Sequence, residues 1–278
     1  MKFADPKNDI AFKKIFGDEN HKEVLISFLN SVLDFKDDKT IIDVELTNPY
    51  QLPDIKELKE TILDIKATNK NNDTFIVEMQ KKNNGNFEKR SLYYTSKAYV
   101  SQIDKAIDYE KLKKVYYIAL VDFNIFDNNN FLSKHLIINQ ETTKQDLKDF
   151  EFNFIELKKF NLELPACDTI IKKWIYFINN ASSLDMIPAE LENIKEFKTA
   201  FDTANKFSWN KKELEVYDYI SLKEADDINA LITAEKKGIE KEKLNIAKNL
   251  LLANVSLDVI SQTTGLSIDQ IKLLRIKC

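Results

Sequence analysis

Apolar and polar residues alternate in two stretches on either side of residue 71, and the alternation predicts a β-hairpin. In Thr61-Ile-Leu-Asp-Ile-Lys-Ala67, Ile62, Asp64 and Lys66 fall on one side and Leu63, Ile65 and Ala67 on the other, as a half-buried strand requires. Phe75-Ile-Val-Glu-Met-Gln80 repeats the pattern, with Phe75, Val77 and Met79 on one face and Ile76, Glu78 and Gln80 on the other. Asn69-Lys-Asn-Asn-Asp73 supplies turn residues between them. A turn centred near Asn71 sets Asp64 opposite Glu78 and Ile62 opposite Gln80.

Further along, Val115 to Val121 is apolar throughout and reads as a central strand, while 132–139 and 152–157 read as additional strands beyond an Asp127-Asn-Asn-Asn130 turn. The sheet is therefore mixed. Beyond Pro165 the period becomes helical, over 170–178, over 191–204 around Phe197 and Phe201, and in a long charged helix from about Lys211 into Glu235-Lys-Lys237. Those helices read as a lid, a packing layer or a dimer surface. The tail from Leu244 has the rhythm of a helix-turn-helix, with Gly265 ending one helix and Ser267 capping the next. Its second helix offers Gln270, Lys272, Arg275 and Lys277, a modest charge that leaves both a packing bundle and a DNA reader open. The pattern as a whole predicts an α/β core over 1–165, a helical extension over 166–237 and a small helical bundle over 238–278.

Composition narrows the class. A chain of 278 residues with 44% hydrophobic residues has ample material for a core, and four glycines and five prolines argue against low complexity. Cys167 and Cys278 are too far apart to indicate a disulfide framework or a zinc cluster, which fits a reducing cytoplasm. The N-terminal Met-Lys-Phe-Ala-Asp-Pro has no apolar signal core, and no run reaches the length of a membrane span. G-x-x-x-x-G-K-[ST] and G-x-G-x-x-G are absent, so no nucleotide cofactor is expected. His21 and His135 lack a partner at a diagnostic spacing and read as structural.

The candidate chemistry lies on the hairpin. Two carboxylates facing one another destabilise a sheet unless a cation compensates, and hard cations such as Mg²⁺ or Mn²⁺ take oxygen ligands. A solvent-facing hairpin neutralised by Lys66 and neighbouring lysines is the alternative.

The residues in order also resemble a known family. Asp9-Ile-Ala-Phe-Lys13-Lys-Ile-Phe16, a helix like Glu23-Val-Leu-Ile-Ser-Phe-Leu-Asn30, Leu63-Asp64-Ile65 with Ile76-Val-Glu78-Met79-Gln80, and Lys89-Arg90-Ser-Leu-Tyr93-Tyr94-Thr-Ser-Lys97 are similar to the motifs of the recombination-promoting nuclease and transposase family, an E-x-Q form of the PD-(D/E)XK nuclease superfamily. The resemblance implies a restriction-endonuclease-like fold and Mg²⁺-dependent cleavage of DNA. It implies Asp64, Glu78 and the Met79 backbone carbonyl as metal ligands, with Gln80 where most of the superfamily has lysine. A neutral amide can orient water but cannot supply charge, and Lys66 could supply it from the same face as Asp64.

Other positions have two readings each. Glu23 is either a further metal ligand or a helix N-terminal acid favoured by the macrodipole. Asp9 and Lys13 share a helix face and either approach the site, where Lys13 would meet DNA, or form a surface pair. Arg90, Tyr94 and Lys97 form one helical stripe that either holds phosphates or is a solvated edge. The net charge of −4 opposes nucleic-acid binding, but Lys56, Lys59, Lys66, Lys70, Lys81, Lys82, Lys89, Arg90 and Lys97 crowd the site in sequence. A catalytically silent DNA- or protein-binding module with the same fold, and an interaction protein assembled as a homo-oligomer through the C-terminal helices, are the competing functions.

Overall fold

The computed structural model describes residues 2–47, 50–51, 61–62, 64–83, 85–103 and 108–275. Lys56, Lys59, Leu63, Lys277 and Cys278 lie outside these residues, as does the side chain of Arg275.

The first helix, α1 (Asp9–Phe16), starts where Asn8 turns its Oδ1 onto the N–H groups of Ile10 and Ala11, at 3.1 and 3.4 Å. Its Ala11, Phe12, Ile15 and Phe16 are buried. Helix α2 (Lys22–Leu33) buries Val24, Leu25, Phe28 and Leu29 and ends on left-handed Asp34, φ 52°. Both pack with α4 (Ile170–Asn180) and α6 (Lys195–Ala204), where Trp174 stacks on Phe197 at 4.0 Å and donates its indole N–H to Ser27 at 3.2 Å. Residues 170–204 thus share one apolar core with α1 and α2. The expected helix over 191–204 is two pieces, α5 (Ala189–Glu192) and α6, because Ile194 is extended.

These helices cover one face of a six-stranded sheet. Its strands are β1 (Glu45–Leu46), β4 (Ile65–Thr68), β5 (Thr74–Gln80), β6 (Val115–Val121), β8 (Phe150–Glu156) and β7 (Leu132–Leu136), in that spatial order. Two further short strands, β2 (Tyr50–Gln51) and β3 (Thr61–Ile62), pair with each other. β5, β6 and β8 run parallel, and the remaining pairs in the large sheet are antiparallel, giving a mixed sheet. Helix α3 (Phe87–Val100) packs on the other face over Ile76, Tyr117, Phe152 and Phe154.

The hairpin has the predicted register: Ile65 faces Val77 and Lys66 faces Ile76, around a turn in which Asn72 takes φ 61°. Two expectations are corrected. The ladder stops at Ile65, and Ile62 pairs with Tyr50 instead of lying opposite Gln80. β5 is also not half-buried, because β6 lies along its other edge and helices cover both faces, so Thr74 to Glu78 are all buried. The strand expected over 132–139 ends at Leu136, and β8 begins two residues before the expected 152.

The long charged helix is α7 (Lys211–Leu252), 42 residues that run through the segment expected as a separate helix from Leu244. The chain divides into compact units Met1–Ile220 and Ser221–Cys278, limits that differ from 165 and 237. In the second unit, α8 (Leu257–Thr264) closes on Gly265, φ 70°, and α9 (Ile268–Arg275) opens with a capping box. There Ser267 Oγ accepts from the Gln270 N–H at 3.2 Å while Gln270 Oε1 accepts from the Ser267 N–H at 2.9 Å. Ala247, Ile260, Leu266 and Ile271 form its core. No described helix is long and apolar enough to cross a membrane.

Candidate active site

Asp64 stands in the bend immediately before β4. Its Oδ2 accepts the Met79 N–H at 2.7 Å, so a side chain adds one rung where the backbone ladder has ended. The strand direction aims Glu78 and Gln80 to the face that carries α3, at the C-terminal end of β5. A strand residue sends its N–H and C=O to the same edge, so the Met79 carbonyl leaves β5 on the Asp64 side.

Glu78 is 7% exposed, and its Oε1 is buried without a hydrogen-bond partner. Burial, and then the Asp64 charge, push its carboxyl well above the usual range. Asp64 is pushed up to about 6, first by burial and then by the Asp9 charge, against the opposing Met79 N–H and Lys13. A buried acid and a partly buried one therefore share a site that disfavours their ionisation.

Helix α1 brings two more groups. Lys13 Nζ lies 2.8 Å from Asp9 Oδ1 and 3.4 Å from Asp64 Oδ1. Burial works to lower the Lys13 pKa, but Asp9 and Asp64 outweigh it and the net shift is upward. The close approach depends on Gly17: a Cβ there would lie 2.7 Å from the Lys13 carbonyl and 3.6 Å from Ile65. Of the two arrangements open to Asp9 and Lys13, approach to the site and a surface pair, the ion pair of Lys13 with both Asp9 and Asp64 is the first. The i, i+4 spacing of Asp9 to Lys13 was the available signal.

Helix α3 contributes Arg90, which donates from Nη2 to Gln80 Oε1 at 2.9 Å and sits over the Phe87 ring at 5.2 Å. Tyr94 and Lys97 follow on the same half-buried stripe. Burial raises the Tyr94 hydroxyl pKa, and the Arg90 charge opposes the shift. Lys66 is half-buried opposite Ile76 and forms no ion pair with a described residue; burial lowers its pKa. Glu23 is not brought to this site. Its carboxylate lies beside His21 at 3.8 Å and Lys195 at 3.9 Å.

The donors are oxygens: two carboxylates and a strand carbonyl. No group of three or more His, Cys, Asp or Glu among the described residues is arranged to hold an ion. A hard cation that keeps several waters needs only one or two carboxylates, and the orphaned Glu78 Oε1 is such a ligand left without a partner. The residues fit a cation of that kind.

Residues 6–235 match the family described as PD-(D/E)XK nuclease family transposase. The chain belongs to that family. Its mixed sheet with flanking helices is a restriction-endonuclease-like α/β fold, and membership in a PD-(D/E)XK family supports a nuclease or transposase-associated function. Nucleases of this class typically use divalent metals and act on DNA. No curated protein and no solved structure matches the chain.

Proposed function

We propose that this PD-(D/E)XK family member is a cytoplasmic endonuclease that hydrolyses DNA phosphodiester bonds with Mg²⁺ or Mn²⁺, in the service of recombination or transposition. The observation that carries this reading is the buried, unpartnered oxygen of Glu78 beside a second, partly buried carboxylate, that of Asp64. A pair of acids whose pKa values stay raised despite nearby cations costs folding energy, and a function that needs them is the reason to keep them.

Asp64, Glu78 and the Met79 carbonyl would hold the cation. When bound, it supplies a Lewis acid for the scissile phosphate and the means to acidify water. The chain's own groups do the rest. The Met79 N–H fixes one oxygen of Asp64, so the carboxylate presents the other edge without rotating. Lys13 holds Asp9 and Asp64 together and keeps positive charge beside two acids that must ionise. Gln80, a neutral amide, orients a reactant by hydrogen bonds and takes no proton. The Arg90, Tyr94 and Lys97 stripe extends from the site along α3, where a DNA backbone can lie.

Wild type and Asp64→Ala, each incubated with plasmid DNA with and without Mg²⁺, test the assignment. The wild type nicks only with Mg²⁺ and the variant at least a hundredfold less; equal nicking by both proteins would falsify it.

One observation favours a second reading, a silent DNA- or protein-binding module: Lys13 already occupies an oxygen of Asp64. DNA binding without any Mg²⁺-induced thermal shift supports that module. On α7, exposed Ile228, Ile232 and Ile239 recur at spacings of four and seven, a seam for self-association. Light scattering of wild type against Ile232→Asp tests it, with a monomer in both cases refuting the homo-oligomer.

A further inference from the structure

Gln80 and Arg90 fix each other's role. A guanidinium only donates hydrogen bonds, so the atom of Gln80 that meets Arg90 Nη2 at 2.9 Å must be the amide oxygen. The two faces of a terminal amide are alike in shape, and Arg90 removes that ambiguity. With the oxygen taken, the NH₂ group and its two donors are the part of Gln80 left to act.

Arg90 is itself held. Its guanidinium lies over Phe87, a 3%-exposed ring that packs edge-on against Phe123 at 5.9 Å and Phe154 at 6.3 Å. Its Nε is buried without a hydrogen-bond partner, unlike the head group of a freely solvated surface arginine. The cations that act on Glu78 are Arg90 and Lys13.

We propose that Arg90 is the positioning residue of the site: it locks Gln80 as a hydrogen-bond donor toward an anionic oxygen of the substrate and supplies the positive charge that the amide lacks. Lys66, half-buried opposite Ile76, is the competing source of that charge. The proposal rests on the nuclease reading for its substrate, and on the Gln80–Arg90 contact for the lock. The NH₂ donors left over suit a phosphate oxygen, which only accepts; they cannot act as a base or as a metal ligand. A lysine at position 80 would push an ammonium against the guanidinium, whereas the neutral amide accepts from it.

The test is a double-mutant cycle of Gln80→Ala and Arg90→Met in the full chain, read by thermal unfolding and by plasmid nicking. The lock predicts non-additive losses, the double variant falling no further than the worse single one in either readout. In unfolding, Gln80→Glu raises Tm because its carboxylate meets the guanidinium, and Gln80→Lys lowers it by about 2–4 °C. In nicking, Gln80→Lys alone loses about a hundredfold, and combining it with Arg90→Met restores at least about tenfold, a reciprocal rescue that a merely structural contact does not give. Additive Tm losses, or full activity of Gln80→Lys with Arg90 intact, overturn the proposal. A wild type that fails to nick overturns the nuclease reading and the substrate-facing half of the inference, while the unfolding cycle still decides the lock.

Discussion

Two glutamates on the same sheet show what separates a structural buried acid from a functional one. Glu151, at the start of β8, is 6% exposed and Glu78, near the end of β5, is 7% exposed. Glu151 is met by Lys114 at 2.7 Å and Lys134 at 3.0 Å, and although burial works to raise its pKa, those lysines outweigh it and the net shift is downward. Glu78 is met by another carboxylate and keeps an oxygen with no partner, and its pKa is raised. Exposure is equal; Glu78 lies deeper and has less compensation. An acid given two lysines holds strands together, whereas one denied a partner raises the energy of the folded chain until something positive arrives.

Exchanging each charge for an amide should break this symmetry most visibly. Glu78→Gln abolishes nicking, at least about a hundredfold, yet raises Tm of the metal-free protein because a repulsive buried charge is gone. Glu151→Gln leaves nicking within about threefold and lowers Tm by roughly 5 °C, since two lysines lose their partner. Nicking and calorimetry on the two variants decide the matter; a Glu78→Gln protein less stable than wild type contradicts the contrast.

The pH dependence follows with opposite signs. Asp64 ionises near 3.8 when unfolded and near 6 when folded, so the folded state holds the extra proton in between. Stability from this group is highest below the unfolded value and falls as pH rises toward 6, on the order of 2–3 kcal/mol in all. Glu151, whose folded pKa is depressed, contributes stability that is present above 4.5 and lost as pH falls further. Denaturant melts of metal-free wild type and Asp64→Asn from pH 4 to pH 7 should therefore diverge in favour of the variant as pH rises. Divalent-cation affinity should climb through the same window, because Asp64 must deprotonate to bind.

Gly17→Ala is a smaller perturbation from outside the site. The added methyl meets the Lys13 carbonyl at 2.7 Å and forces the last turn of α1 to shift. The expected cost is about 1–2 kcal/mol, with nicking reduced by about tenfold as Lys13 moves from Asp64. An unchanged rate alongside a lower Tm would show that Lys13 needs no accurate placement. Lys66→Ala should matter least, less than about threefold in nicking; a loss of tenfold or more returns the charge-supplying role to Lys66.

Much of the local structure was legible in the chain. Alternation around Asn69-Lys-Asn-Asn-Asp73 set the hairpin register, the apolar run Val115–Val121 marked a strand to its exact ends, and Gly265 and Ser267 announced the turn between α8 and α9. These are short-range properties, fixed by period, turn chemistry and capping within a few residues. The burial of β5 on both faces was not legible, because alternation records two faces without recording what covers each. Glu23 resembled a ligand by helix position and lies beside His21 and Lys195, whereas Asp9, 55 positions before Asp64, comes to the site because α1 packs against β4.

The sequence alone determined most of the elements, the register of the hairpin from Ile65–Val77 to its turn, and the amide at position 80. Tertiary packing alone decided that Glu78 has an oxygen without a partner, that Lys13 bridges two acids, and that an arginine from another element takes the amide oxygen of Gln80. The reason is physical: hydrogen-bond satisfaction and desolvation depend on every group that arrives from elsewhere in the chain, and no local pattern encodes which groups those will be.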